Sequence, residues 1–149
     1  MSPLQSLLSE PVSKVPSKVA IQTPSRQISY EDLQGEVESA AAGLAQFGIA
    51  KGDRVAWMLP NCIEAVVLTL ACYRIGAVVV PLNYRYVTQE AGEVLQRVGA
   101  KLLVFHRDKS SVVAPLIESG TERISLIVGE DASGQSKPYE DLSNHGTLV

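Results

Sequence analysis

The stretch GDRVAWMLPN-CIEAVVLTLACYRIG-AVVVPLN, residues 52–83, decides how the chain folds. Its two ends, 53–59 and 77–82, are short runs rich in Val or aromatic residues, each punctuated by a proline (Pro60, Pro81), and read as strands. Between them lies a helix. Asn61 is a good N-cap, Glu64 three residues on can close a capping box, and Gly76 is the residue type that ends a helix with φ > 0. Ile63, Val66, Val67, Leu70 and Ala71 follow the i, i+3, i+4 pattern, while Leu68, Cys72 and Tyr73 make the other side apolar as well, so the helix is expected to be covered on more than one side. Two strands joined by a helical crossover must lie parallel. Parallel strands are buried on both faces, which accounts for the unbroken apolar run 77–80.

Outward from this unit the pattern repeats. Leu4, Leu7 and Leu8 sit at helical spacing within 3–12, predicting a short amphipathic opening helix that stops before Pro16. Residues 18–23 and 27–30 predict a hairpin around Pro24-Ser25-Arg26. Ser29 caps the next helix, with Asp32 in the third position of a capping box; Leu33, Val37, Ala40, Ala41, Leu44 and Ala45 form its buried stripe, and Gly48 stops it. After residue 83, Thr88 is expected to cap a helix carrying Ala91, Val94, Leu95 and Val98 inward, with Gly99 as its stop. Residues 101–106 read as a third parallel strand. Asp108 or Ser110 starts a helix presenting Val112, Val113, Leu116 and Ile117, shortened or kinked by Pro115, and 123–128 form a fourth strand. Residues 129–149 are expected to be partly loop. Alternating strands and helices predict an α/β fold: a layered, mainly parallel sheet with helices on both faces.

A chain of 149 residues is about one domain. Its net charge of −3 gives no reason to expect nucleic acid as a partner, and no apolar run approaches the roughly 18 residues needed to span a bilayer. No basic-then-apolar leader opens the chain, which together with only two cysteines fits a cytoplasmic protein. Cys62 and Cys72, ten residues apart, read as small buried hydrophobes, neither a redox pair nor a metal spacing.

In parallel sheets ligands collect at the carboxyl ends of the strands, so the loops after Leu59, Pro81, His106 and Val128 are where chemistry would sit. The richest is Asn83-Tyr84-Arg85-Tyr86. Arg85 could grip a phosphate or carboxylate through its fork of donors; equally, the loop could be a solvated turn with Tyr rings on the surface. Gly129 to Ser136 imitates GxxxxGK[ST] but carries Gln135 where a cation is needed, and Glu130 and Asp131 would repel an anion. His106 and His145 have no partner at metal-ligand spacing, and no nucleophile elbow occurs, so neither a metal site nor a catalytic residue is assigned.

ISYEDL (28–33), GDRVAWMLPNCIE (52–64) and YRIGAVVVPLNYRY (73–86) together resemble the N-terminal part of the adenylate-forming (AMP-binding) enzymes, and the NYRY loop resembles the acyl-CoA synthetase branch, in which Asn-Pro-Arg is frequent. The resemblance runs from about residue 18 to 142. It implies the N-terminal subdomain of a larger acid–CoA ligase, which activates a carboxylic acid with ATP to an acyl-adenylate and then forms the CoA thioester, as in fatty acid metabolism. ATP, Mg and CoA are implied for the parent enzyme, with none binding tightly to this chain. Arg85 matches an arginine that contacts a CoA phosphate in some members, although Tyr84 stands here in place of the proline. The family's phosphate loop, acid pocket and lid lysine lie downstream of Val149, so the chain is expected to be catalytically silent alone, to pair with a missing C-terminal portion and to self-associate through exposed apolar surface. Two other readings stand beside it: a stand-alone flavodoxin-like module binding an anion or nucleotide, and a truncated interaction protein.

Overall fold

The computed structural model describes residues 2–119, 123–129 and 136–145. The hairpin is β1 (Val19–Gln22) and β2 (Gln27–Ser29), an antiparallel pair forming a sheet of its own. The main sheet has five strands: β3 (Arg54–Met58), β4 (Val78–Pro81), β5 (Leu102–His106), β6 (Ile124–Val128) and β7 (Lys137–Pro138), in spatial order β4-β3-β5-β6-β7, with every pairing parallel. The described residues also form the α-helices α1 (Ser9–Lys14), α2 (Tyr30–Gln46), α3 (Ile63–Ile75), α4 (Thr88–Val98) and α5 (Ser110–Glu118). The strands predicted at 53–59 and 77–82 do run side by side in the same direction, Val55 opposite Val79.

Alternation along the strands separates two cores. Val55, Leu102, Val104 and Leu126 face α2 and α3. Ala56, Met58, Leu103, Phe105 and Ile127 face α4 and α5. Helices therefore cover both faces, and β5, in the middle, is buried from Leu102 to Phe105.

Several details depart from the pattern-based expectation. β4 is an edge strand, with Val78 48% exposed, because the connection to β5 passes over β3 instead of extending the sheet outward. The unbroken apolar run of 77–80 was therefore not a sign of a central position. On α3, Val66 is 38% exposed, and the outer flank of this helix with Trp57, Ile21 and Pro24 forms an open groove of about 590 Å³. The N-cap of α3 is Cys62, not Asn61, and of α4 it is Val87, not Thr88. Glu90 accepts the Val87 N–H at 3.1 Å, and the Thr88 hydroxyl donates instead to the Val112 carbonyl at 2.7 Å, tying α4 to α5. Ser29 caps α2 as expected, accepting the Asp32 N–H at 3.1 Å. The opening helix begins only at Ser9 and buries nothing.

Ala45 is exposed, while Ala42 and Gly43 are buried. The reason lies at the far end of the chain. Residues expected to be loop form β7 and a 3-10 helix, Tyr139–His145, whose Leu142 is fully buried against α2. A Cβ on Gly43 would stand 2.2 Å from the Leu142 carbonyl oxygen. Residues 130–135, which hold most of the phosphate-loop look-alike, and the His145 side chain lie outside the described residues.

These two glycine environments on α2 predict opposite outcomes. Gly43→Ala must push Leu142 off the helix and should cost about 1–3 kcal/mol. Gly35→Ala, where a Cβ meets nothing within 4 Å, should stabilise by up to ~1 kcal/mol through helix propensity. Urea unfolding of both variants checks the pair; equal effects would contradict the Leu142 contact.

Candidate functional site

The carboxyl ends of β3 and β5 are adjacent, and their outgoing helices leave to opposite faces: α3 packs with α2, whereas α5 packs with α4. That is the topological switch point of the sheet, the place where open parallel sheets in general bind ligands. Four segments meet around it.

After β3 comes Cys62, half-buried, with its thiol pushed up by burial. After β4 the chain makes a tight turn over residues 83–86. The Asn83 side chain accepts the Arg85 N–H at 2.9 Å and its carbonyl accepts the Tyr86 N–H at 3.0 Å, so Asn83 holds the turn from both sides. Tyr84 and Tyr86 do not lie loose on the surface; both pack against the α4/α5 core. The Tyr84 phenol is shifted upward, first by desolvation and then by the charge of Asp108. Arg85 is at the tip, exposed.

After β5 the residues Arg107–Lys109 form one 3-10 turn. The Lys109 ammonium stands 4.3 Å from the centre of the Tyr84 ring, a cation–π contact joining the two loops. His106 Nδ1 lies 3.2 Å from the Asp108 backbone nitrogen, whose N–H it accepts, and 3.4 Å from the Asp108 carboxylate. Arg107 Nε lies 3.9 Å from the Asp108 carboxylate, and the Arg107 side chain fills the space beside Gly129, at the end of β6, where a Cβ would come within 2.7 Å.

Three cations thus gather at this edge, and two are engaged: Arg107 beside Asp108 and Lys109 over Tyr84. Arg85 has no side-chain partner among the described residues. The sequence pattern singled out the 83–86 loop and Arg85, and it passed over Arg107 and Lys109. Their signal was available, as Arg-Asp-Lys directly follows a strand at its carboxyl end. Among the described residues no group of three or more His, Cys, Asp or Glu is arranged to hold a metal, and no helix is long and apolar enough to cross a membrane. Chemically the edge can bind an anion and orient it.

A family model described as AMP-binding enzyme matches residues 8–146. The chain belongs to the AMP-binding enzyme family. Its similarity to a crotonobetaine/carnitine–CoA ligase of Salmonella heidelberg is 40% identity over 124 residues, 83% of this chain and 23% of that protein. It is 36% identical over 125 residues to a naringenin synthase of Pestalotiopsis fici, covering 84% of this chain and 4% of that protein. The fold is shared with the crystal structure of an anthranilate–CoA ligase in complex with anthranoyl-AMP, with a TM-score of 0.90 at 17% identity over 97% of this chain and 28% of that one. The chain spans under a quarter of the length of the first curated relatives it matches.

The two cysteines of this family member differ in a measurable way. Burial pushes the Cys72 thiol up to about 12, so its thiolate is negligible at neutral pH, whereas Cys62 is partly open to solvent. Ellman's reagent should label one thiol per native chain and two in denaturant. Two rapidly reacting thiols in the native state would contradict the burial of Cys72.

Proposed function

We propose that this chain is the opening subdomain of an acid–CoA ligase of the cytoplasm, a protein that converts a carboxylic acid, of the fatty acid class, to an acyl-adenylate with ATP and then to its CoA thioester. The observation that carries the reading is the position of Arg85: an exposed guanidinium with no side-chain partner among the described residues, on a turn held by Asn83, at the switch-point edge of a sheet whose sequence matches the family over residues 8–146. A guanidinium so placed offers parallel N–H donors to a phosphate, and CoA is the phosphate-bearing substrate the resemblance assigns to it. ATP and Mg2+ fit no set of described residues here, and no step of adenylyl transfer is assigned to this chain.

Silence of the chain by itself follows. Purified residues 1–149 should give no ATP–pyrophosphate exchange above a heat-killed control with a panel of acids, and turnover would overturn the reading. In the longer ligase, Arg85→Ala should raise KM for CoA by about 10-fold, the worth of one charge-assisted contact, with adenylate formation unchanged.

Apolar surface left open on this chain points to its partners. Val66 and Val78 are exposed, and the groove beside Trp57 is lined mostly by apolar side chains. We infer that further ligase sequence covers this surface and that the isolated chain self-associates through it; a strict monomer in sedimentation at high concentration would count against this.

One observation favours the flavodoxin-like module as a second reading: the strand order β4-β3-β5-β6-β7 is the 2-1-3-4-5 order of that fold. Thermal-shift titration with CoA, AMP and FMN separates the two, since a module of that kind would be stabilised by FMN and a ligase subdomain would not.

A further inference from the structure

Arg85 stands on a turn whose own hydrogen bonds fix its shape but not its bearing on the rest of the molecule. The Asn83 side chain accepts the Arg85 N–H and the Asn83 carbonyl accepts the Tyr86 N–H, so both bonds begin and end within residues 83–86. A guanidinium on a flexible stem gains from a phosphate only what remains after stem and backbone have been ordered. What orders this turn against the sheet therefore decides how much Arg85 contributes.

The β3/β4 ladder reaches the residue before the turn, where the Leu82 N–H donates to the Trp57 carbonyl at 2.8 Å. On the far side the Thr88 hydroxyl, bonded to the Val112 carbonyl, pins the start of α4 to α5. Between these points the ties are side chains. Tyr84 and Tyr86, on either side of Arg85, both pack against the α4/α5 core, and the Lys109 ammonium lies over the Tyr84 ring, 4.3 Å from its centre.

Lys109 has a nearer candidate for a partner, the carboxylate of Asp108, and does not use it. That carboxylate lies 3.4 Å from His106 Nδ1 and 3.9 Å from Arg107 Nε instead. Lys109 ion-pairs with no carboxylate among the described residues, and its side chain is half-buried. Ordering a lysine costs rotamer freedom, and the attraction of the ring face for the ammonium offsets that cost. Desolvation and Asp108 push the Tyr84 phenol upward, so at neutral pH the ring and not a phenolate holds the cation. Lys109 is itself well anchored. It ends the 3-10 turn Arg107–Lys109, which opens with the Asp108 N–H donating to His106 Nδ1 at 3.2 Å and closes with the Ser110 hydroxyl donating to the Arg107 carbonyl at 2.7 Å. Contacts thus run unbroken from the end of β5 through Lys109 and Tyr84 to Arg85.

We propose that Tyr84 and Lys109 are a positioning pair: the ammonium over the ring fixes the bearing of the 83–86 turn, and with it the direction in which Arg85 presents its guanidinium to a phosphate. The phosphate part rests on the CoA reading of Arg85 given above; the fixing of the turn does not.

NMR relaxation of the isotope-labelled chain reads the turn without any ligand. Lys109→Met and Tyr84→Leu should each lower the order of the Arg85 backbone N–H. Tyr84→Phe, which keeps the ring, and Lys109→Arg, which keeps a cation able to lie on it, should match the native chain. Titration with CoA, followed at the Arg85 Nε–H, should show binding weakened about 3-fold by Lys109→Met and by Tyr84→Leu, and little further by the two together. A Lys109 that merely adds charge near the phosphate would make Lys109→Met weaken binding while Tyr84→Leu does not, with Arg85 ordered in both, and that result would overturn the proposal. Unchanged order in Lys109→Met also overturns it, and this variant leaves the core packing of Tyr84 in place. CoA binding abolished by Arg85→Ala but insensitive to Lys109→Met and Tyr84→Leu would overturn the pair and keep the CoA reading. Loosening of Arg85 in both variants, with no response of the native chain to CoA, would remove the CoA reading and leave the positioning pair standing.

Discussion

Everything in this molecule depends on β3 being paired in parallel on both of its edges. A strand so placed has no free backbone groups to turn to water, and both rows of its side chains must be covered. Val55 and Ala56, successive residues pointing to opposite faces, are both fully buried. Parallel neighbours cannot be joined by tight turns, so each needs a crossover; placing β4 on one side of β3 and β5 on the other sends those crossovers to opposite faces. The switch point at the carboxyl edge is a consequence of that pairing, not a separate feature.

The two faces are held differently. On the α4/α5 side the covering helices are short and their inward side chains only partly buried beyond Ala91, Leu95 and Val113, and the Tyr84 and Tyr86 rings extend that core to the site loop. On the other side α2 is contacted twice, by α3 and by the 3-10 helix that ends the described chain. Gly43 makes the second contact feasible, since only a residue without a Cβ lets the Leu142 backbone approach so closely. Locking the C-terminal segment onto a helix from the N-terminal third closes the fold across nearly the full sequence. It also places Tyr139 and Glu140 beside the first turn of α3.

Much of this was legible from periodicity and punctuation. Six of the seven strands, four of the five helices near their observed limits, the parallel pairing of the central unit and the loop carrying Arg85 all follow from local pattern and turn chemistry. What escaped was set by tertiary contact. An apolar run such as Val78 to Val80 looks the same in an edge strand as in a central one, because its neighbours are chosen by the path of the crossover. Asn61 and Thr88 are better caps than Cys62 and Val87 by propensity, but Thr88 is spent on the Val112 carbonyl and the α3 start is fixed one residue later. The last segment has no repeat to read: a two-residue strand and a 3-10 turn are shorter than any periodicity window, and Tyr139 and Leu142 anchor them in the core.

Charge is sorted in a way that the net value of −3 conceals. At the switch-point edge cations follow β4 and β5, whereas the entrance between α2, α3 and the 3-10 helix is lined by carboxylates. Two of the edge cations are restrained by Asp108 and the Tyr84 ring, and Arg85 has no side-chain partner among the described residues. Of the carboxylates around Tyr139, Glu36 is paired with Arg26 and Glu64 interacts with the Cys62 thiol. Positive and negative fields are thus separated on one small platform. The cations follow the carboxyl ends of β4 and β5, and Glu64 follows that of β3, so the parallel sheet itself decides where these charges stand, whereas Glu31, Asp32 and Glu36 are placed by α2 after the hairpin.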